Sequence, residues 1–144
     1  MTEVFLGLGS NLGDRYGHIH AAINEINNRI GVVVRQSDLI ETEPQGYDSK
    51  NKYVNATVVV ETTLSPIEVL RTTQQIEREL GRTNKRATIN DTTAYQDRTI
   101  DIDILIYEGI TMHTPQLTLP HPRIEERDFV KKPLSQILSH KNKI

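Results

Sequence analysis

Isoleucine stands at every even position from Ile100 to Ile106, with Asp101, Asp103 and Leu105 between. β-Branched residues on a two-residue period predict a half-buried strand, here preceded by Arg98-Thr99. Three shorter apolar stretches join it. Val4-Phe5-Leu6-Gly7-Leu8 predicts a first strand, Val32 to about Ile40 a less regular second, and Tyr53 to Glu61 a third with Val54, Ala56, Val58 and Val60 on one face. Ile19, Ala22, Ile23, Ile26 and Ile30 fall on helical spacing, after a Gly9–Asp14 turn whose Asp14 can cap the helix and before Gly31 as its stop. Ser65-Pro66-Ile67-Glu68 supplies an N-cap, a proline at the first helical position and a capping-box glutamate, so a second helix runs to Leu80 and stops at Gly81.

Between these elements the chain is polar. Residues 41–50 form a loop rich in turn formers, and residues 82–98 a long segment expected to order on binding. A short hairpin near Gly109, the turn Leu119-Pro120-His121-Pro122-Arg123 and a helical piece around Val130–Leu138 complete the reading. The order β-α-β-β-α-β is the split βαβ pattern of ferredoxin-like folds. The expected fold class is therefore α+β: an antiparallel sheet with both helices on one face, plus an extra C-terminal hairpin and helical segment. The first strand should lie between the third and fourth, and residues 1–144 should form one domain.

Composition narrows the function. With 17 Lys and Arg against 19 Asp and Glu, the net charge of −2 gives no reason to expect a general polyanion binder. Positive charge is local, at Arg82, Lys85 and Arg86. Cysteine is absent, which excludes disulfides and thiolate metal sites and suits a reducing cytoplasm. No leader-like segment or membrane-length apolar run is read, so a soluble intracellular protein is expected, with neither nucleic acid nor membrane as partner.

The helix-free face of the predicted sheet carries the candidate chemistry. Strand residues i and i+2 share a side, so Asp101 and Asp103 project together, roughly 7 Å apart. They repel one another unless something positive intervenes, and a divalent cation that also takes phosphate oxygens is one solution. Solvated aspartates on an exposed face are the plain alternative. Tyr53 and Asn55 on the third strand lie across from them, with Phe5 and Gly7 on the first strand between. The two walls stand roughly 10 Å apart, one aromatic and amide-bearing, the other acidic. Such a trough suits two ligands, one flat and one phosphorylated.

The residues resemble a family. Gly9-Ser10-Asn11, Tyr53-Val54-Asn55-Ala56, Gln74 with Glu77, Gly81-Arg82, Arg98-Thr99-Ile100-Asp101-Ile102-Asp103-Ile104-Leu105, Pro120-His121-Pro122-Arg123 and Arg127-Asp128-Phe129-Val130 follow one another as in 6-hydroxymethyl-7,8-dihydropterin pyrophosphokinases. These are enzymes of folate biosynthesis, and the likeness spans essentially the whole chain. It implies transfer of pyrophosphate from ATP, the co-substrate, to the pterin hydroxymethyl oxygen, with release of AMP. It implies that Asp101 and Asp103 hold two Mg2+ ions, and that Arg82 and Arg98 act beside them on the triphosphate. Gln74, Glu77, Ile104, His121 and Arg127 match further nucleotide positions. Tyr53 and Phe129 match an aromatic pair enclosing the pterin, Asn55 its amide-like edge, and Thr42 and Pro44 the loop closing over it; Asp101 also borders that site. Many relatives read R-W-G-P-R-T where this chain has Ala94-Tyr95-Gln96-Asp97-Arg98-Thr99, which puts Tyr95 in the place of the tryptophan. The partners implied are small molecules, with the protein a monomer or weak dimer.

Singly, each motif has a plainer reading. Gly9-Ser10-Asn11 fits a turn, Tyr53 a half-buried sheet aromatic, Gln74 and Glu77 a solvated helix face, His121 a turn residue and Phe129 core. Their joint placement on one face and its bordering loops favours a site. Other classes are a metabolite-sensing or RNA-binding sheet, and a nucleotidyl cyclase-like enzyme with paired strand carboxylates. RNA binding wants central-strand aromatics and a basic surface, whereas Phe5 stands alone beside an acidic pair.

Overall fold

Apolar side chains on alternate positions of three long strands decide the architecture. In the computed structural model, which describes residues 1–42, 52–81 and 99–122, β1 (Thr2–Ser10) is followed by α1 (Arg15–Arg29), β2 (Gly31–Gln36), β3 (Ile40–Thr42) and β4 (Tyr53–Thr62). Then come α2 (Pro66–Leu80), β5 (Asp101–Tyr107), β6 (Met112–His113) and β7 (Thr118–Leu119). The main sheet runs β2-β4-β1-β5, antiparallel throughout, with β3 also paired to β4. The first strand is central, as expected, and the fold is α+β.

The even-numbered residues Val4, Leu6 and Leu8 of β1, Val54 to Val60 of β4, and Ile102 and Ile104 of β5 form one buried cluster with Ile19, Ala22 and Ile26 of α1 and Val69 and Ile76 of α2. Both helices thus cover one face. Each fully buried aliphatic side chain contributes about 1.5–3 kcal/mol, so this cluster is the main source of stability. Both helix starts are capped as the sequence predicts. Asp14 accepts from the Gly17 N–H at 3.1 Å, and Ser65 and Glu68 exchange bonds of 3.2 and 2.9 Å in a reciprocal box.

Several expectations need correction. The predicted second strand is two strands: between the pairs Gln36↔Val58 and Ile40↔Asn55, residues 37–39 stand opposite only 56 and 57. The Ser37 hydroxyl accepts the Thr57 N–H at 2.8 Å there, which interrupts the ladder. The loop expected from residue 41 therefore begins later, since Glu41 and Thr42 belong to β3. Gly31 ends α1, but by close approach rather than a left-handed turn: a Cβ there would run into the Glu61 carbonyl oxygen. The isoleucine alternation fails at Ile106. A bulge shifts the β1–β5 register between Phe5 and Leu6, so Leu105 and Ile106 both pack with Phe5 and Val59 on the helix-free side. Tyr107 returns to the main core and donates its hydroxyl to the Leu64 carbonyl at 2.6 Å. Gly109, at φ 79, makes a tight turn after β5, while the hairpin itself is β6–β7, closed by mutual bonds between Thr114 and Leu117. The helix expected near Val130–Leu138, the 82–98 segment and most of the 41–50 loop lie outside the described residues. No helix among the described residues is long and apolar enough to cross a membrane.

Candidate active site

Register across the helix-free face arranges the site in rows. Asn55, Gly9 and Asp101 are cross-strand neighbours on β4, β1 and β5; Thr57, Gly7 and Asp103 form the next row; Val59, Phe5 and Ile106 follow. The face is thus polar and acidic at one end and apolar at the other. Along β5, half-buried Asp101 and Asp103 alternate with Ile102 and Ile104, which sit 5% and 3% exposed in the core. Strand alternation therefore sends both carboxylates to the helix-free side.

The opposite wall leans inward. A Cβ on Gly9 would lie 3.1 Å from Asn55 Oδ1 and 3.4 Å from the Tyr53 ring, so the glycine lets both side chains extend across the central strand. Over Gly7 the space is taken by Leu105, whose Cδ1 would be 3.3 Å from such a Cβ. The expected gap between Asn55 and the aspartates is therefore at Gly9, not Gly7. The bulge that reaims Leu105 is the reason, and a bulge leaves no mark in an alternating sequence. Asn55, only 4% exposed, donates Nδ2 to Thr42 Oγ1 at 2.7 Å, which joins two of the predicted pterin residues. Its Oδ1 lies over Gly9.

Glu77 behaves differently from a residue on a solvated helix face. Its Oε2 accepts the Ile102 N–H at 2.7 Å, tying α2 to β5 between the two aspartates. Burial, with the Asp101 charge next, pushes its carboxyl up from the usual 4.5 to about 8; a bond with Asp101 and the Asp103 charge add to this, while the Ile102 N–H opposes it. Burial is the leading cause, and the Asp101 and Asp103 charges add a negative field at that end of the trough. Such a field fits a divalent cation. Among the described residues no three His, Cys, Asp or Glu side chains group to hold a metal; a carboxylate pair that leaves room for phosphate and water oxygens suits a hard cation. Magnesium usually binds in this way.

Gln74, one turn before Glu77, is exposed. Ile104 has its side chain in the core, which leaves only its backbone for a ligand. His121 is half-buried beside β5, with its backbone N–H on the Leu105 carbonyl at 2.8 Å. The fold thus brings Thr42, Tyr53, Asn55, Asp101 and Asp103 together and sets Glu77 at their edge. Pro44, Arg82, Tyr95, Arg98, Arg127 and Phe129 lie outside the described residues. Sequence reasoning missed Gly9 as the floor of the site and Leu105 as its apolar end. The Gly7-Leu8-Gly9 spacing carries the signal for the first.

Comparison with known proteins gives the family and the fold. Residues 5–139 match the family described as 7,8-dihydro-6-hydroxymethylpterin-pyrophosphokinase (HPPK). A Porphyromonas gingivalis 2-amino-4-hydroxy-6-hydroxymethyldihydropteridine pyrophosphokinase is 44% identical over 138 residues, 95% of this chain and 91% of its own. The Bacillus subtilis protein of the same name is 40% identical over 134 residues, covering 92% and 76% respectively. A Plasmodium falciparum HPPK-DHPS triple-mutant crystal structure shares the fold, with TM-score 0.67 at 16% identity over 93% of this chain. This chain spans only 40% of that longer one. The match over nearly the full length, together with the acidic strand facing Asn55, makes this chain a member of the 7,8-dihydro-6-hydroxymethylpterin-pyrophosphokinase family, a pyrophosphokinase of folate synthesis.

Proposed function

We propose that residues 1–144 act as one domain that transfers the terminal pyrophosphoryl group of ATP to 6-hydroxymethyl-7,8-dihydropterin. The hydroxymethyl oxygen attacks the β-phosphorus, the bond from that phosphorus to the α-bridging oxygen breaks, AMP leaves, and the hydroxyl proton is released. Asp101 and Asp103 would hold Mg2+. When bound, the ions supply neutralisation of phosphate charge and alignment of the reacting oxygens. The observation that carries the reading is Asp101 facing Asn55 across a bare Gly9, as Asp101↔Gly9↔Asn55, with Asp103 in the next row on the same side. Carboxylates and a triphosphate carry like charge, so a cation between them supports their meeting in one site.

The chain's own groups divide the remaining work. Asn55, braced by Thr42, presents an acceptor and a donor to the flat pterin edge, and Tyr53 offers a ring face. Arg82 and Arg98 fit the family's triphosphate contacts, while Gln74, His121 and Arg127 fit further nucleotide contacts. Phe129 with Tyr53 encloses the pterin, and Pro44 and Tyr95 border it. ATP and magnesium are abundant in the cytoplasm, where the reaction would run.

The test is AMP release from ATP in the presence of the dihydropterin and Mg2+. Turnover should require both, and Asp103→Ala should lower it at least about a hundredfold, the scale at which loss of one charge-stabilising group is felt, with circular dichroism unchanged. Near-normal turnover in Asp103→Ala, or AMP release without pterin, would contradict the reading.

A further inference from the structure

Arg15 stands where a cation is locally unfavourable. It is the first residue of α1, whose first turn contains no acidic residue, so its charge meets the positive end of the helix dipole, offset locally by the Asp14 cap alone. A residue placed against a local rule is expected to be compensated elsewhere, and Arg15 is. Its Nη2 reaches Glu41 Oε2 on β3 at 3.1 Å, and its Nη1 donates to the Lys52 carbonyl at 2.9 Å. Tyr16 donates its hydroxyl to the same Glu41 oxygen at 3.4 Å, and its ring lies 5.8 Å from the guanidinium carbon.

Glu41 and Lys52 lie on either side of residues 43–51, so one guanidinium fork joins β3 and the residue before β4 to α1. A planar fork of fixed donors can hold a carboxylate and a carbonyl at once, which an ammonium does less well. β3 needs that support. It has three described residues, among the described residues it pairs only with β4, and the irregularity at residues 37–39 separates it from β2. Thr42 is its last residue and takes the Asn55 amide N–H at 2.7 Å. If β3 frays, Asn55 loses the partner that fixes which end of its amide faces the trough.

We infer that Arg15 is a positioning residue for the flat substrate, acting through β3 and Thr42 on the orientation of Asn55. This rests on the pterin reading above. Steady-state kinetics of the full chain test it. Arg15→Ala should raise KM for the dihydropterin about three- to tenfold, as expected for a partly exposed ion pair with a second hydrogen bond, and leave kcat and KM for ATP within about twofold. Arg15→Lys should recover part of the loss, and Glu41→Gln, which keeps shape, should reproduce part of it. In a Thr42→Val background Arg15→Ala should add little, since the path to Asn55 is already broken. An unchanged pterin KM in folded Arg15→Ala or Glu41→Gln, an equal rise for ATP, or full additivity with Thr42→Val would overturn the assignment alone. Absence of pterin-dependent turnover in the unaltered chain would instead sink the parent reading, and this assignment with it.

Discussion

Glu77 concentrates the electrostatics of the site in one group. Its carboxyl is held up to about 8 by burial and by Asp101, so near neutral pH the folded protein keeps a proton that the unfolded chain has released. The sign follows from linkage: a group whose folded value is raised stabilises fully below its unfolded value, near 4.5, and that contribution is lost as pH rises through about 8. Urea midpoints of the metal-free protein should therefore fall between pH 4.5 and 8, by an amount on the order of a few kcal/mol in stability. Glu77→Gln should flatten that slope, because an amide can still accept the Ile102 N–H while carrying no charge. A Gln variant with the same slope would place the titrating group elsewhere.

At the scale of elements, β1 works by what it lacks. Gly9 leaves room for Asn55 and Tyr53 to lie across it, with Oδ1 of Asn55 only 3.1 Å from where a Cβ would be. Gly9→Ala should thus displace Asn55 by a few tenths of an ångström and weaken pterin binding more than ATP binding, read by titration of each ligand. Equal affinities before and after substitution would show that Asn55 does not set the pterin edge. The elements also show what a sequence carries. Helix ends were legible because Asp14, Ser65 and Glu68 make local bonds with residues three positions away. The even-numbered core face was legible because one side of the sheet is packed and alternation follows. The split at Ser37 and the bulge at Leu105 were not, since each depends on which residue of a neighbouring strand stands opposite. The bond that holds Glu77 is hidden for the same reason: its partner, the Ile102 N–H, is a backbone group on another element.

For the molecule as a whole, the two faces of the sheet divide the labour. Helices α1 and α2 and the even-numbered strand residues provide the packing. The other face carries a gradient from Asp101 and Asp103 to Phe5, Val59 and Leu105, open enough at Gly9 for Asn55 and Tyr53 to lie over it. The acidic end is the part of the site most legible from sequence, because the Asp-Ile-Asp spacing alone fixes its shared direction. The amide end needed the fold, which revealed the Thr42–Asn55 bond and Arg15 behind it. On the proposed reading, Asp101 and Asp103 become a nucleotide site only through a divalent cation. Calorimetric titration with a non-hydrolysable ATP analogue tests it most directly, with and without Mg2+, on the unaltered chain and on Asp101→Asn with Asp103→Asn. Magnesium should tighten binding to the unaltered chain at least about tenfold, or about 1.4 kcal/mol, and should do nothing for the double variant; equal affinity with and without the metal in the unaltered chain would contradict the account.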